Sequence, residues 1–287
     1  MKSFTLGKYI PYDSWLHRLD PRLKILLTIL FMVLVFLPLP TWSMTFLMSG
    51  ILFVLAFAFL MATRMSLGSF FSSLRSLWFM VAFLLIIYVL VPNNSGATLG
   101  VAWDWNGWVV YWDAFAQAGK ILLRLLLMLE LTMILTASTK PLDLTFALEW
   151  YMTPLKVIHF PAAEIAMIIS IALRFIPTLL EDTTRVMKAQ ESRGVDFSHG
   201  KVWKRIRSLT SLIVPLFASS FMRSEELAYA MEARGYDPKA KRSRYRKTKW
   251  HWTDTVCLIA GLLFAAGFIY VVAARIDFFA LLGVSAL

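Results

Sequence analysis

The residues best suited to chemistry between molecules come twice. Glu191-Ser192-Arg193-Gly194-Val195-Asp196 is echoed by Glu232-Ala233-Arg234-Gly235-Tyr236-Asp237, with the two arginines 41 positions apart. Each phrase follows a stretch that can be helical and closes on glycine, which accepts left-handed backbone without steric cost and so stops a helix. The arginine then sits in the last turn, where the helix dipole favours a cation and the side chain can project past the end. A guanidinium placed there can make bidentate, charge-assisted bonds to a carboxylate on another molecule and resist sideways slip. One Arg-Gly alone reads as an ordinary helix end, worth about 0.3–1 kcal/mol against the dipole. Two copies with flanking acids point instead to helix ends anchored in two similar partner grooves. Glu191 and Glu232 rank second, as groups that hold the arginines or meet partner cations.

Other reactive residues form no constellation. The four histidines (17, 159, 199 and 251) are scattered without an HExxH pattern, and the single Cys257 excludes a disulfide framework or a multi-cysteine metal site. There is no GxxxxGK[ST], so ATP binding by this chain is not expected. No cofactor or metal is expected on it. Glu130 lies in the middle of an apolar run, an expensive place for a carboxyl. Arg124, six residues earlier, falls about 240° round the helix and is a poor partner. A protonated or hydrogen-bonded structural Glu130 is therefore favoured over proton coupling. Lys120 and Arg124 can snorkel to the near interface.

The elements that must carry the two arginines are mostly apolar. Hydrophobic residues make up 59% of the 287, and the mean hydropathy is +0.65. That composition, with apolar runs near the ~20 residues a bilayer core requires, makes an all-α polytopic membrane protein. Five spans are expected, at about 24–38, 43–62, 77–92, 121–137 and 253–273. With the N-terminus cytoplasmic, all of the 29 Lys and Arg except Lys120, Arg124 and Arg275 fall in the cytoplasmic segments 1–24, 63–75 and 139–250. This asymmetry fixes the orientation by the positive-inside rule, and it accounts for most of the net charge of +11. Met1–Asp20 holds no apolar stretch of the kind a cleavable signal needs.

Three regions follow: a four-span membrane bundle over 1–138, a cytoplasmic coupling domain of about four helices over 139–250, and a last span with an outer C-terminus over 251–287. The apolar stretches 162–180 and 208–222 are read as amphipathic helices at or beneath the cytoplasmic leaflet, not as spans. Crossing there would carry seven cations outside, and Pro154, Pro161 and Pro177 would break the segment into short pieces. Asn106-Gly107, flanked by alternating residues and four tryptophans, predicts a short outer β-hairpin near 101–110. Asp20 is placed to cap a helix whose first residue is Pro21. The basic run Lys239–Lys249 suits anionic lipid at about 1 kcal/mol per cation, and no nucleic-acid fold accompanies it.

Several motifs in order then carry a resemblance. Ser14-x-x-His17-Arg18-Leu19-Asp20-Pro21-Arg22-x-Lys24, Arg174-Phe175-Ile176-Pro177, Gln190-Glu191-Ser192-Arg193-Gly194 and Met231-Glu232-Ala233-Arg234-Gly235-Tyr236 resemble the T component of energy-coupling factor transporters. The likeness runs from Gly7 to about Trp250. It implies a scaffold in the bacterial plasma membrane that joins two cytoplasmic ABC ATPases to a small membrane subunit capturing a vitamin or a metal ion. ATP and Mg would belong to those ATPases. By the same resemblance Ser192-Arg193-Gly194 and Ala233-Arg234-Gly235 are the ATPase anchors, with Ser192 where alanine is usual. The apolar residues Leu144, Leu148, Leu155, Ile158, Ile165, Ile168 and Ile171 would offer a greasy platform to the capture subunit.

Two other functions compete. An intramembrane lipid enzyme using Glu130, His17 or His159 would need polar groups converging at one depth. A self-contained secondary transporter would need inverted repeats in the membrane half. The sequence offers neither: its only repeat is the Arg-Gly pair.

Overall fold

A computed structural model describes residues 14–39, 41–63, 67–90, 100–105, 108–158, 160–197, 202–237, 240 and 250–274. In chain order it contains α1 (Trp15–Arg18), α2 (Pro21–Phe36), α3 (Trp42–Ala62), α4 (Leu67–Leu90), strands β1 (Val101–Trp105) and β2 (Trp108–Tyr111), then α5 (Trp112–Ser138) and α6 (Pro141–Met152). A 3-10 turn (Thr153–Ile158), α7 (Ala162–Ser192), α8 (Val202–Ala233) and α9 (Trp252–Ala273) follow. The chain divides into two compact units, one of Gly7–Lys140 with Thr248–Leu287 and one built on Pro141–Lys247.

In the first unit α5 is the central helix, packing on α2, α3 and α4, while α9 packs on α2. Leu34, Leu52, Leu127 and Ala265 lie in one buried cluster, and Leu60, Phe70, Met133 and Ala137 form a second further along α5. Three polar side chains, Asp20, Lys24 and Asp254, tie the helix ends. The Asp20 carboxylate accepts from the Arg22 backbone N–H at 2.9 Å, which caps α2 as its sequence predicts. Lys24 Nζ donates to the Ser138 carbonyl at 2.9 Å, a cation at the C-terminus of α5 where its dipole is negative. Asp254, fully buried, accepts from the Asp20 N–H at 3.0 Å and from the His251 N–H at 2.8 Å.

These contacts have a topological consequence. The start of α2 lies beside both the end of α5 and the start of α9, so the chain leaves α5 and enters α9 at one membrane depth. Between Ser138 and Trp252 it must then cross the bilayer an even number of times.

Five helices among the described residues are long and apolar enough to cross a membrane: α3, α4, α5, α7 and α9. The run 24–38 becomes the 16-residue α2, about 24 Å long and short of a full hydrocarbon core. Pro38 is the cause: the residue before a proline is driven out of the helical region, and Leu37 is extended at ψ 133°. The fifth helix that qualifies is α7, which the sequence assigned to amphipathic pieces. Pro177 does not break it; α7 runs unbroken for 31 residues, as does α8 for 32 through Pro215. A proline forfeits one backbone hydrogen bond, and α7 is supported on both sides, since α6 and α8 each pack on it.

The β-hairpin forms, with Trp105 paired to Trp108 and an irregularity between Val101 and Trp103. Its Asn106-Gly107 turn lies outside the described residues. So do Met1–Asp13, His159 and all of the basic run Lys239–Lys249 except Ala240.

Candidate functional site

The two Arg-Gly phrases close α7 and α8 with the same hydrogen-bond pattern. At the first, the Gly194 N–H donates to the Glu191 carbonyl at 2.9 Å and the Val195 N–H to the Gln190 carbonyl at 3.0 Å. At the second, the Gly235 N–H donates to Glu232 at 2.9 Å and the Tyr236 N–H to Met231 at 3.0 Å. Both are Schellman ends, which require left-handed backbone at the glycine, and φ is +84° at Gly194 and +71° at Gly235. Ser192 Oγ donates back to the Lys188 carbonyl at 3.0 Å, so the serine hydroxyl stays within its own helix.

Arg193 and Arg234 each follow the last helical residue, and both are exposed. Neither guanidinium has a hydrogen bond or ion pair to a described residue. Glu191 and Glu232 are exposed as well and do not pair with the arginines beside them, so they do not hold those side chains here. Each helix end thus presents an unshared cation on a rigid, stopped backbone.

One contact of this unit was not read from the sequence. Arg223 Nη2 donates to Asp182 Oδ2 at 2.7 Å across the α7–α8 packing, and the guanidinium lies 5.9 Å from the Phe175 ring. Asp182 and Arg223 are 41 positions apart, the same offset as the two arginine anchors. Eleven residues separate each member of the pair from the anchor on its own helix, about 16 Å along a helix. The two arms are therefore equal in length from a common tie. Adding the repeat offset to Asp182 would have found its partner.

The seven residues of the expected apolar platform are divided. Leu148, Leu155 and Ile168 are exposed, Leu144, Ile165 and Ile171 are half-buried, and the side chain of Ile158 lies outside the described set. A larger apolar surface is on α8, where Ile213, Phe217 and Phe221 recur every fourth residue with Val214 and Met222 beside them, all at least 59% exposed. None of the seven expected platform residues lies on α8, although the i, i+4 spacing marks the stripe in the sequence.

In the other unit Glu130 is fully buried, and neither carboxylate oxygen has a partner among the described residues. Lys120 lies 5.5 Å from the Trp42 ring and Arg124 5.8 Å from that of Phe36. No group of three or more His, Cys, Asp or Glu able to hold a metal ion occurs among the described residues.

Comparison with known proteins decides the family. Residues 12–245 match the family described as CbiQ, cobalt transport protein. The chain is 40% identical over 259 residues to the energy-coupling factor transporter transmembrane protein EcfT of Macrococcus caseolyticus, covering 90% of this chain and 94% of that one. The chain belongs to the EcfT family. The EcfT proteins of Lacticaseibacillus paracasei and Bacillus subtilis are each 38% identical, with 93% of this chain and 97% of theirs covered. As an EcfT-family member the chain is a multi-pass transmembrane component of an energy-coupling factor transporter and not an enzyme.

Proposed function

We propose that this EcfT-family chain is the coupling subunit of an ATP-driven importer in the bacterial plasma membrane, with its N-terminus and residues 139–250 on the cytoplasmic side. Two cytoplasmic ABC ATPases bind the ends of α7 and α8, Arg193 and Arg234 being the anchors. A small integral-membrane subunit that captures the nutrient rests on the apolar surfaces of the same unit. ATP and Mg are held by the ATPases, and this chain binds neither.

The observation that carries this reading is the matched pair of helix ends. Each presents an exposed, unshared guanidinium on a Schellman stop, and each lies eleven residues from the Asp182–Arg223 tie. A matched pair suits two similar acceptors. Closure of the two ATPases would draw the ends with them, and helices as long as α7 and α8 transmit that motion as levers. The even crossing count supports residues 139–250 staying on one side, and the positive-inside rule supports the cytoplasmic side.

For the nutrient, a vitamin or similar micronutrient is the favoured reading over a metal ion. The experiment is to isolate the chain from its own membranes in mild detergent and identify its companions by mass spectrometry. Two ATPases and a small hydrophobic protein are expected, and the ligand of that small protein names the nutrient. A chain that purifies alone and itself binds a solute overturns the proposal in favour of a secondary transporter. One that turns over a lipid does so in favour of an intramembrane enzyme.

A further inference from the structure

The membrane unit contains a half-enclosed cavity of about 360 Å³ among α1, α2, α3, α5 and α9. Leu19, Phe31, Phe59, Ile134, Cys257 and Phe264 give it an almost wholly apolar lining. On three helices the lining spans the same stretch: Lys24 to Phe31 on α2, Leu131 to Ser138 on α5, and Cys257 to Phe264 on α9. Each stretch is eight residues, seven helical steps, so the slot is about 10 Å deep. Its polar end lies where α2 and α9 begin and α5 ends.

Polar side chains of the lining are taken up by the protein's own groups, Ser138 Oγ lying 3.4 Å from Thr139 Oγ1. Thr28 Oγ1 donates to the Lys24 carbonyl at 2.7 Å, and Lys24 Nζ donates to the Ser138 carbonyl at 2.9 Å. A hydrophilic nutrient would leave its polar groups unpaired against such walls, at a cost of about 1–3 kcal/mol each. The guest that fits is apolar. We propose that the cavity holds one acyl chain of an anionic phospholipid drawn from the surrounding bilayer, with its headgroup at the α1 end.

Transfer of a chain from lipid into an apolar slot brings no hydrophobic gain, since the tails are as apolar as the walls. Two other terms hold it. A dry apolar void forfeits the dispersion contacts that a guest restores. The headgroup meets Arg18, and Arg22 with the buried Lys24, whose ammonium is bonded to the His17 and Ser138 carbonyls, adds positive charge to this end against Asp20 and Asp254, whose oxygens accept backbone N–H groups. Arg18 is exposed and makes no hydrogen bond or ion pair to a described residue. Trp15 lines the cavity and is also 53% exposed, the position of an aromatic ring at headgroup depth.

The test uses the chain in phosphatidylcholine nanodiscs containing one-fifth phosphatidylglycerol, with a photoactivatable diazirine on the acyl chain of one lipid or the other. Cross-links mapped by mass spectrometry should concentrate on the cavity stretches of α2, α5 and α9, and should favour phosphatidylglycerol. Ala260→Phe, which fills the cavity, should remove them for both lipids. Arg18→Gln, an exposed change that leaves the fold intact, should lower the phosphatidylglycerol preference about five-fold while the phosphatidylcholine yield stays the same. Cross-links spread evenly over lipid-facing positions such as Phe79 and Phe83 would overturn the proposal. So would equal yields from the two lipids in the unaltered chain.

Discussion

Replacing Asp182 by alanine should loosen the crossing of α7 and α8 while leaving both helices formed. The 2.7 Å bond is charge-assisted, and its side chains are 28% (Arg223) and 20% (Asp182) exposed. An exposed pair contributes about 0–1 kcal/mol, and breaking a fully buried one costs about 3–5 kcal/mol. This pair lies between those limits. In the variant Arg223 keeps the Phe175 ring beneath it, so a loss of about 2 kcal/mol is expected. Arg223→Ala should cost somewhat more, because the stem packed near that ring goes as well. A double-mutant cycle, read by SDS-induced unfolding in mixed micelles, should give a coupling energy of about 1–2 kcal/mol. The structural readout is the distance between nitroxides at positions 191 and 232, measured by pulsed electron resonance in a Cys257→Ser background. That distribution should broaden in either single variant. Additivity of the two changes within about 0.5 kcal/mol, with an unchanged distribution, would refute the tie.

Three further outcomes follow from single residues. Gly235→Ala should cost about 1–2 kcal/mol at the end of α8 and weaken ATPase capture in a pull-down, because φ is +71° and nothing lies within 4 Å of the added Cβ; Gly235→Asn should cost less. Glu130→Leu should raise the stability measured by thermal unfolding by about 1–3 kcal/mol, since both buried oxygens lack partners; a lower melting temperature would mean the carboxyl is held after all. Asp254→Ala should cost about 1–3 kcal/mol by leaving the buried Asp20 N–H donor unpaired and the part-buried His251 N–H without its partner, seen as a lower melting temperature, and Asp254→Asn should recover about half.

Features set by a few neighbouring residues were legible in the sequence. The Asp20-Pro21 cap, the glycine stops and the hairpin each depend on chemistry within about six positions. The end of α2 was equally local, and the expected run stops at the same Pro38 that ends the helix. Pro177 misled, because a local penalty was outweighed by helices packed on both sides. The Asp182–Arg223 tie and the Asp254 bridge join residues 41 and 234 positions apart, so no window of hydrophobic periodicity contains them. The α8 stripe has a periodic signal, but which apolar face is left uncovered depends on how α7 packs. Glu130 was legible as a buried carboxyl; its lack of partners among the described residues depends on where three other helices place their side chains.

In the proposed coupling the two arginine ends each hold one ATPase, and the stoichiometry of a pull-down reads this out. The complex would be isolated through a tag on this chain, and the ATPase subunits retained per chain counted by native mass spectrometry. Two are expected for the unaltered protein, one for Arg193→Glu or Arg234→Glu alone, and none for the double reversal, with the chain itself still folded in the membrane. Retention of two ATPases by the double variant would contradict the account.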